Sequence, residues 1–375
     1  MKLTLTLENL KKCVKDKIIT PVNGLDISKH VQPSSIDIAL GSKAYLLSHR
    51  ALAPNISMKE LGPKISLEEL DLSKKTLFLK GHTYLVETDM DLNIPKDICA
   101  KCSPKSSIGR IDVLVRAVCS VNGMYDIISP GSKGRLFLEI TPQSFNVLVK
   151  KGVTMSQIRL FKEESNGGDI TNESHEKEES SLEDIEVLKR SILGEDGNPS
   201  KDLFSFDYNM KFLSIEINEG SFGYVAKNTQ TPIDLTKTRS QKSSLFFTPL
   251  VAEKGVDNKL QVVIEKNRFY IFHTKEFIKV PLTHSIEMLP YAYVIGDFRS
   301  HYAGFFDPGF GGSKGATAVL EVRSSEDIVI FDSQPVSSVI NYKNYEVPSI
   351  GYGELNNNYQ NQKGPKLSKF FIVDN

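Results

Sequence analysis

Two stretches of this chain, FLKGHTYLVETDMDLNIP (Phe78–Pro95) and IEKNRFYIFHTKEFIKVP (Ile264–Pro281), lie 186 residues apart and match at key positions. Tyr84 falls on Tyr270, Val86 on Phe272, Thr88 on Thr274 and Pro95 on Pro281. At an offset of 182, LFLEI (Leu136–Ile140) falls on AVLEV (Ala318–Val322), setting Glu139 on Glu321. Shared order, spacing and a strand-borne Glu constrain the chain to two copies of one unit. In each copy the apolar runs are short, alternate in twos and stop at Gly or Pro. Thr76–Leu92 is strand, Gly turn and strand; Gly134–Ile140 and Phe145–Val149 make another pair. That pattern predicts β structure and argues against an alternating βα layout. Helical spacing is confined to Leu5–Val14, a Leu182–Ile192 stretch and a few short pieces.

Between the copies the composition changes. From Glu163 to Asn198 there are twelve acids against three bases, with Ser, Asn and Gly filling much of the rest. Such a piece cannot repay its ordering entropy by burial, so it reads as a solvated acidic linker carrying one short helix. The expected division is therefore 1–162, linker 163–200 and 201–375. At 375 residues with 40% hydrophobic content, both flanks can bury a core. Lys plus Arg and Asp plus Glu are both 46. A chain so balanced has no global cationic field, which argues against a general nucleic-acid or anionic-membrane binder. The N-terminus lacks an apolar signal core and no run of 18 apolar residues occurs. With only four cysteines, a soluble cytoplasmic protein is expected.

Several motifs lead nowhere. Cys99 and Cys102 form a CxxC without a second pair, and a zinc site needs four ligands or three plus water. The HxE and PCxxC of zinc deaminases are missing, so no zinc and no protein-held metal is expected. GFGGSKG (Gly309–Gly315) lacks phosphate-loop spacing and reads as a loop between strands. Three other features bear chemistry. CSPKSSIGR (Cys102–Arg110) offers the donors of Ser106, Ser107 and the backbone around Gly109, the Lys105 cation and the Arg110 guanidinium fork, a set suited to phosphate oxygens. Glu321 interrupts an apolar strand, either facing outward or sitting where its pKa serves proton transfer. Asp307, in the turn Asp307-Pro308-Gly309, is joined to it through the Gly loop. The polar tail Tyr359–Lys369 is either a loose terminus or a flap that closes over a ligand.

In this order, VQPSSIDIALGSKAYLL (Val31–Leu47), PKSSIGR (Pro104–Arg110), GDFRSHYAGFFDPGF with VLEVRS (within Gly296–Ser324) and YQNQKGP (Tyr359–Pro365) resemble the dCTP deaminases, relatives of the trimeric dUTPases. The closest likeness is to their long, two-domain bacterial form. The resemblance implies an all-β fold of two tandem distorted jelly-roll barrels (dUTPase-like, β-clip) joined by the acidic linker. It places phosphate contacts on Ser106 and Arg110, with Ser107 between them. The loop holding pyrimidine and sugar falls on Ala303, Asp307, Pro308 and Gly309, the catalytic Glu on Glu321, and the closing segment on Tyr359 and Gln362. Asn358 stands where several relatives carry Lys. Asp37 takes a signature position that organises the region near the phosphates.

The copies depart from the family pattern in opposite ways. The first keeps Ser106 and Arg110 but has Ser129-Pro130-Gly131 for Asp-Pro-Gly; the second keeps Asp307, Glu321 and the tail but has Ala292 and Gly296 at the Ser and Arg positions. One composite site per pair of copies follows, within or between chains. Glu139, lacking its Asp partner, is expected to be structural. The implied reaction is hydrolytic deamination of dCTP to dUTP and ammonia, with Glu321 as general base, Ser106 and Arg110 assisting, and Mg2+ carried on the triphosphate. A bifunctional enzyme ending at dUMP, a dUTP diphosphatase and a non-catalytic nucleotide binder are the alternatives. A homo-oligomer with sites at domain boundaries is expected, with no nucleic acid or membrane partner.

Overall fold

The computed structural model describes residues 2–52, 56–119, 124–163, 182–200, 211–289, 304–355 and 358–372. The fold is mostly β-sheet. In the first half, ten strands form one sheet, whose backbone runs from Val113–Cys119 through Lys133–Pro142, Tyr84–Asn93, Ile36–Leu47, Thr154–Glu163 and Ile98–Pro104 to Ile127–Ile128. Its two ends nearly meet. Asp126 N donates to Ala117 O (2.8 Å) and Cys102 N donates to Asp126 O (2.7 Å). The result is a nearly closed barrel, its interior filled by the alternate residues that period-two patterning turns inward, Val113, Val115 and Ala117 among them.

The repeated stretches occupy equivalent positions in the two halves. Glu139 lies opposite Leu85 in one strand pair, and Glu321 opposite Ile271 in the other. Tyr84 Oη accepts from Leu79 N and Tyr270 Oη from Glu265 N, both at 2.9 Å and both five residues back. Each hydroxyl thus anchors the turn leading into its own strand and stays satisfied while the ring is buried.

The halves are not beads on a tether. Strand Ile233–Asp234 of the second half pairs in parallel with Val147–Leu148 of the first. Phe145 meets Phe246 and Phe247 edge-on at 5.6 and 5.4 Å. One hydrophobic core takes in residues of both halves, from Leu10 and Phe145 to Ile271 and Phe370.

In the described part of the linker the short helix expected at Leu182–Ile192 is present, but it is packed against the second half rather than solvated. A helix spans Leu182–Ser191, and Leu188 and Ile192 are buried in the core of the second half. Asp184, also buried, is tied to His284 Nε2 at 3.1 Å. Apolar residues at helical spacing outweigh the acidic composition here, because Glu183 and Glu186 face outward and the one buried acid, Asp184, has His284 as a partner. Residues 164–181 lie outside the described residues. No helix among the described residues is long and apolar enough to cross a membrane.

Candidate active site

The phosphate-type loop is set by the strand it follows. Ile98–Pro104 ends at Pro104, Lys105 N donates back to Met155 O (3.1 Å), and a single helical turn spans Ser106–Gly109. Arg110 N closes that turn on Ser106 O, and Asp112, at φ +56°, reverses the chain into the strand Val113–Cys119. The turn buries Ser107 and Arg110, each 3% exposed. From the second half, the strand Ala316–Arg323 brings in Glu321, also 3% exposed. Gly311, at φ +84°, has to be glycine, since a Cβ there would stand 2.1 Å from Ile278 O.

Arg110 and Glu321 meet inside one chain: Nε lies 3.9 Å from Oε1, an ion-pair separation too long for a hydrogen bond. The Arg110 fork is directed at the tail instead. Nη1 donates to Lys366 O at 2.7 Å, Nη2 donates to Gln362 Oε1 at 3.1 Å, and the guanidinium lies 3.8 Å from the Tyr359 ring centroid. Burial pushes the Glu321 carboxyl up to about 8, against the opposing pull of Arg110. Burial wins even though Arg110 and a hydrogen bond from the residue's own backbone both favour the ionised form, because together they do not replace the lost water.

The cavity around this pair encloses about 120 Å³ and is lined by, among others, Gln32, Asp37, Lys105, Ser106, Ser107 and Gln157 of the first half. Phe305, Asp307, Tyr352, Asn358, Gln362 and Lys369 line it from the second. Ligand pockets typically hold about 300–1,000 Å³, so in this conformation the tail and Arg110 fill part of the ligand space. The tail is docked: Gln362 Nε2 donates to Thr317 O (2.6 Å), Ser368 Oγ donates to Ser107 O (2.7 Å), and Phe371–Ile372 pairs with Gln241–Lys242. Lys105 is ion-paired to Asp37, whose Oδ1 is buried without a partner among the described residues. Burial and Lys105 lower the Lys369 ammonium, opposed by Asp37. Burial, Arg110 and Arg239 lower Lys366. Lys105, Arg110 and Lys369 thus line the cavity alongside Asp37, Asp307 and Glu321, while Lys366 and Arg239 add positive charge around the tail, which gives that end groups suited to a polyanion.

Most expected residues gather here: Ser106, Ser107, Lys105, Arg110, Asp307, Glu321, Tyr359 and Gln362 all line the cavity. Gly109 and Gly309 are not among its lining. At Gly309 (φ +86°) a Cβ would come within 3.0 Å of Tyr352 N, so this glycine lets two backbone segments touch. Ala303, Ala292 and Gly296 lie outside the described residues. Glu139, 1% exposed, is held by Arg50 Nε at 2.6 Å and the Tyr125 hydroxyl at 2.8 Å. Among the described residues no group of three or more His, Cys, Asp or Glu is placed to hold a metal ion.

Sequence reasoning missed Tyr352, Lys369 and, behind Asp307, the pair Ser34 and Arg159. Arg159 carried a usable signal. It is a charge inside the apolar strand QIRLF, the feature that singled out Glu321.

A family model described as 2'-deoxycytidine 5'-triphosphate deaminase (DCD) N-terminal domain matches residues 2–164, and one for the C-terminal domain matches residues 194–371. The crystal structure of 2'-deoxycytidine 5'-triphosphate deaminase from Agrobacterium tumefaciens is 30% identical, covers 93% of this chain and 99% of its own, and superposes with a TM-score of 0.77. The dCTP deaminase of Halorubrum lacusprofundi is 26% identical over 147 residues, 38% of this chain and 68% of that protein. A Dictyoglomus turgidum protein named dCTP deaminase, dUMP-forming, is 25% identical over 160 residues, 41% of this chain and 78% of its own length. Several other relatives carry the same dUMP-forming name. That name corrects the expectation that the reaction stops at dUTP. Motifs for base and phosphate binding are common to both outcomes, so they could not separate them. With family models on both halves and a solved relative matched over nearly its full length, the chain belongs to the 2'-deoxycytidine 5'-triphosphate deaminase family of hydrolases.

Proposed function

We propose that this enzyme converts dCTP to dUMP, ammonia and pyrophosphate by two hydrolytic steps in the one cavity. The observation that carries the reading is the meeting of Arg110 from the first half with Glu321 from the second, 3.9 Å apart in a cavity that Lys105 and Lys369 also line. The dUMP-forming relatives support the second step.

In the first step a water attacks C4 of the cytosine. Ionised Glu321 takes one proton from the water and returns it to the amino group, which leaves as ammonia, while the water's oxygen stays on C4 as the carbonyl and its second proton ends on N3. Ser106 aligns the water, and Arg110 offsets the negative charge that develops near the reacting carbon. In the second step another water attacks the α-phosphorus, and the bond to the bridging oxygen breaks to release pyrophosphate. Asp37, at the cationic end of the cavity with Oδ1 unpartnered, orients that water and accepts its proton. A Mg2+ ion carried on the triphosphate fits the same place, since the free Asp37 oxygen can accept from a water of its shell. When bound, it neutralises charge on the phosphates. Lys105 and Lys369 hold the phosphate chain, Lys369 supplying the cation missing at Asn358. Asp307 faces the sugar and Tyr359 and Gln362 close over the ligand.

On this reading each half is a distorted jelly-roll barrel, 1–162 and 201–375, and the chain assembles as a homo-oligomer whose sites lie between its two barrels. Product analysis tests the function. Incubation with dCTP and Mg2+ is expected to release ammonia and pyrophosphate in equal amounts, and Asp37→Asn to keep releasing ammonia while dUTP accumulates. Ammonia without pyrophosphate from the wild type would refute the second step, and no ammonia would refute the first.

A further inference from the structure

Arg159 lies in the strand Thr154–Glu163 of the first half and has no exposed surface. Its side chain crosses to the second half. Nη2 donates to Asp307 Oδ1 and to Ser34 Oγ, both at 3.0 Å, and Nη1 reaches Ile286 O at 3.4 Å. The guanidinium stands 4.2 Å from the Phe305 ring centroid. Ser34 Oγ donates to the same Asp307 Oδ1 at 2.5 Å. Burial draws Arg159 below the usual range against the pull of Asp307 and Glu287, and its Nε has no partner among the described residues.

Burying a guanidinium so completely is a poor way to join two halves, since apolar residues of similar volume do so at less desolvation cost. The Phe145–Phe246–Phe247 contact already does that here. What distinguishes Arg159 is where its donors go. Two donors saturate one oxygen of Asp307, while among the described residues none donates to Oδ2, and Asp307 lines the cavity. Neither Arg159 nor Ser34 lines it.

We propose that Arg159 and Ser34 are positioning residues that lock the Asp307 carboxylate about its terminal torsion and present Oδ2 to the cavity as an acceptor for a sugar hydroxyl. The proposal rests on the cavity being a nucleotide site. Because the clamp spans the halves, it also makes sugar recognition depend on their correct seating.

The test separates positioning from mere stability. In a Glu321→Gln background, which leaves the cytosine unreacted, calorimetry gives the Kd of dCTP and of its 3'-deoxy analogue. The parent is expected to prefer dCTP about tenfold, the scale of one hydrogen bond to a charged acceptor. Adding Ser34→Ala or Arg159→Lys is expected to weaken dCTP binding, leave the analogue unchanged and shrink the preference to about twofold or less. Equal weakening of both nucleotides, an undiminished preference, or no preference in the parent would overturn the proposal. If Arg159→Lys loses its fold by circular dichroism, Ser34→Ala decides. Should wild type release no ammonia while the preference behaves as expected, the clamp stands and the proposed reaction falls.

Discussion

At Glu321 two forces pull in opposite directions. A guanidinium about 4 Å away normally lowers a carboxyl by one to three units, and full burial raises it by up to about three to five. Burial prevails, and the group sits at about 8. A base must be ionised to take a proton from water. Log kcat/KM for ammonia release is therefore expected to climb with unit slope up to about pH 8 and level off above it. A profile already flat at pH 6 would show that another group is the base. The same shift has a sign for stability. The folded protein holds this proton more tightly than the unfolded chain, whose carboxyl titrates near 4.5. Its contribution is complete below 4.5 and is lost as pH rises through about 8. Glu321→Gln is expected to remove that loss, raising Tm relative to wild type at pH 8.5 and leaving the two alike near pH 4.

Among the elements, the tail is where binding and folding are hardest to separate. Gln362 joins the two, its Oε1 accepting from Arg110 and its Nε2 donating to Thr317 O. Phe370 and Phe371, further along, belong to the core. Gln362→Ala should leave the end of the tail anchored while freeing its middle, costing about ten- to a hundredfold in kcat/KM with little change in Tm. A large drop in Tm with unchanged kinetics of the folded fraction would make the tail a structural strap only. The strands and the matching of the two halves were legible because their signals lie in short runs: alternation in twos, and Tyr, Thr, Glu and Pro recurring at matching positions. The site was legible in part for the same reason, since Ser106–Arg110 lies in one turn and Glu321 interrupts one strand. Arg159 was visible as a charge in an apolar strand, but its role and that of Ser34 were not, because Arg159 finds its partner at Asp307 only after the halves dock. The helix Leu182–Ser191 was legible from its apolar spacing, but its docking into the core was masked by the acidic composition around it. The product was beyond reach, since the same phosphate and base motifs serve both endings.

At the scale of the whole molecule, each half brings one part of the site. The first half retains the Arg110 turn and the second the Glu321 strand, and a shared core seats them against each other. Behind the site a second pair of opposite polarity, Asp112 with Arg323, joins the same two segments two residues further along each. Such a seam holds one acid and one guanidinium of the same chain together, whatever the oligomer around it. Two inactive variants should therefore fail to rescue each other. Arg110→Ala and Glu321→Gln chains, mixed, unfolded together and refolded, are expected to stay at the activity of either alone, because every chain carries one broken member. Were sites built between chains, a refolded mixture would pair an intact Arg110 with an intact Glu321 in about a quarter of its sites, by random assortment of equal amounts. Recovery near that level would move the site from the inside of one chain to a boundary between two.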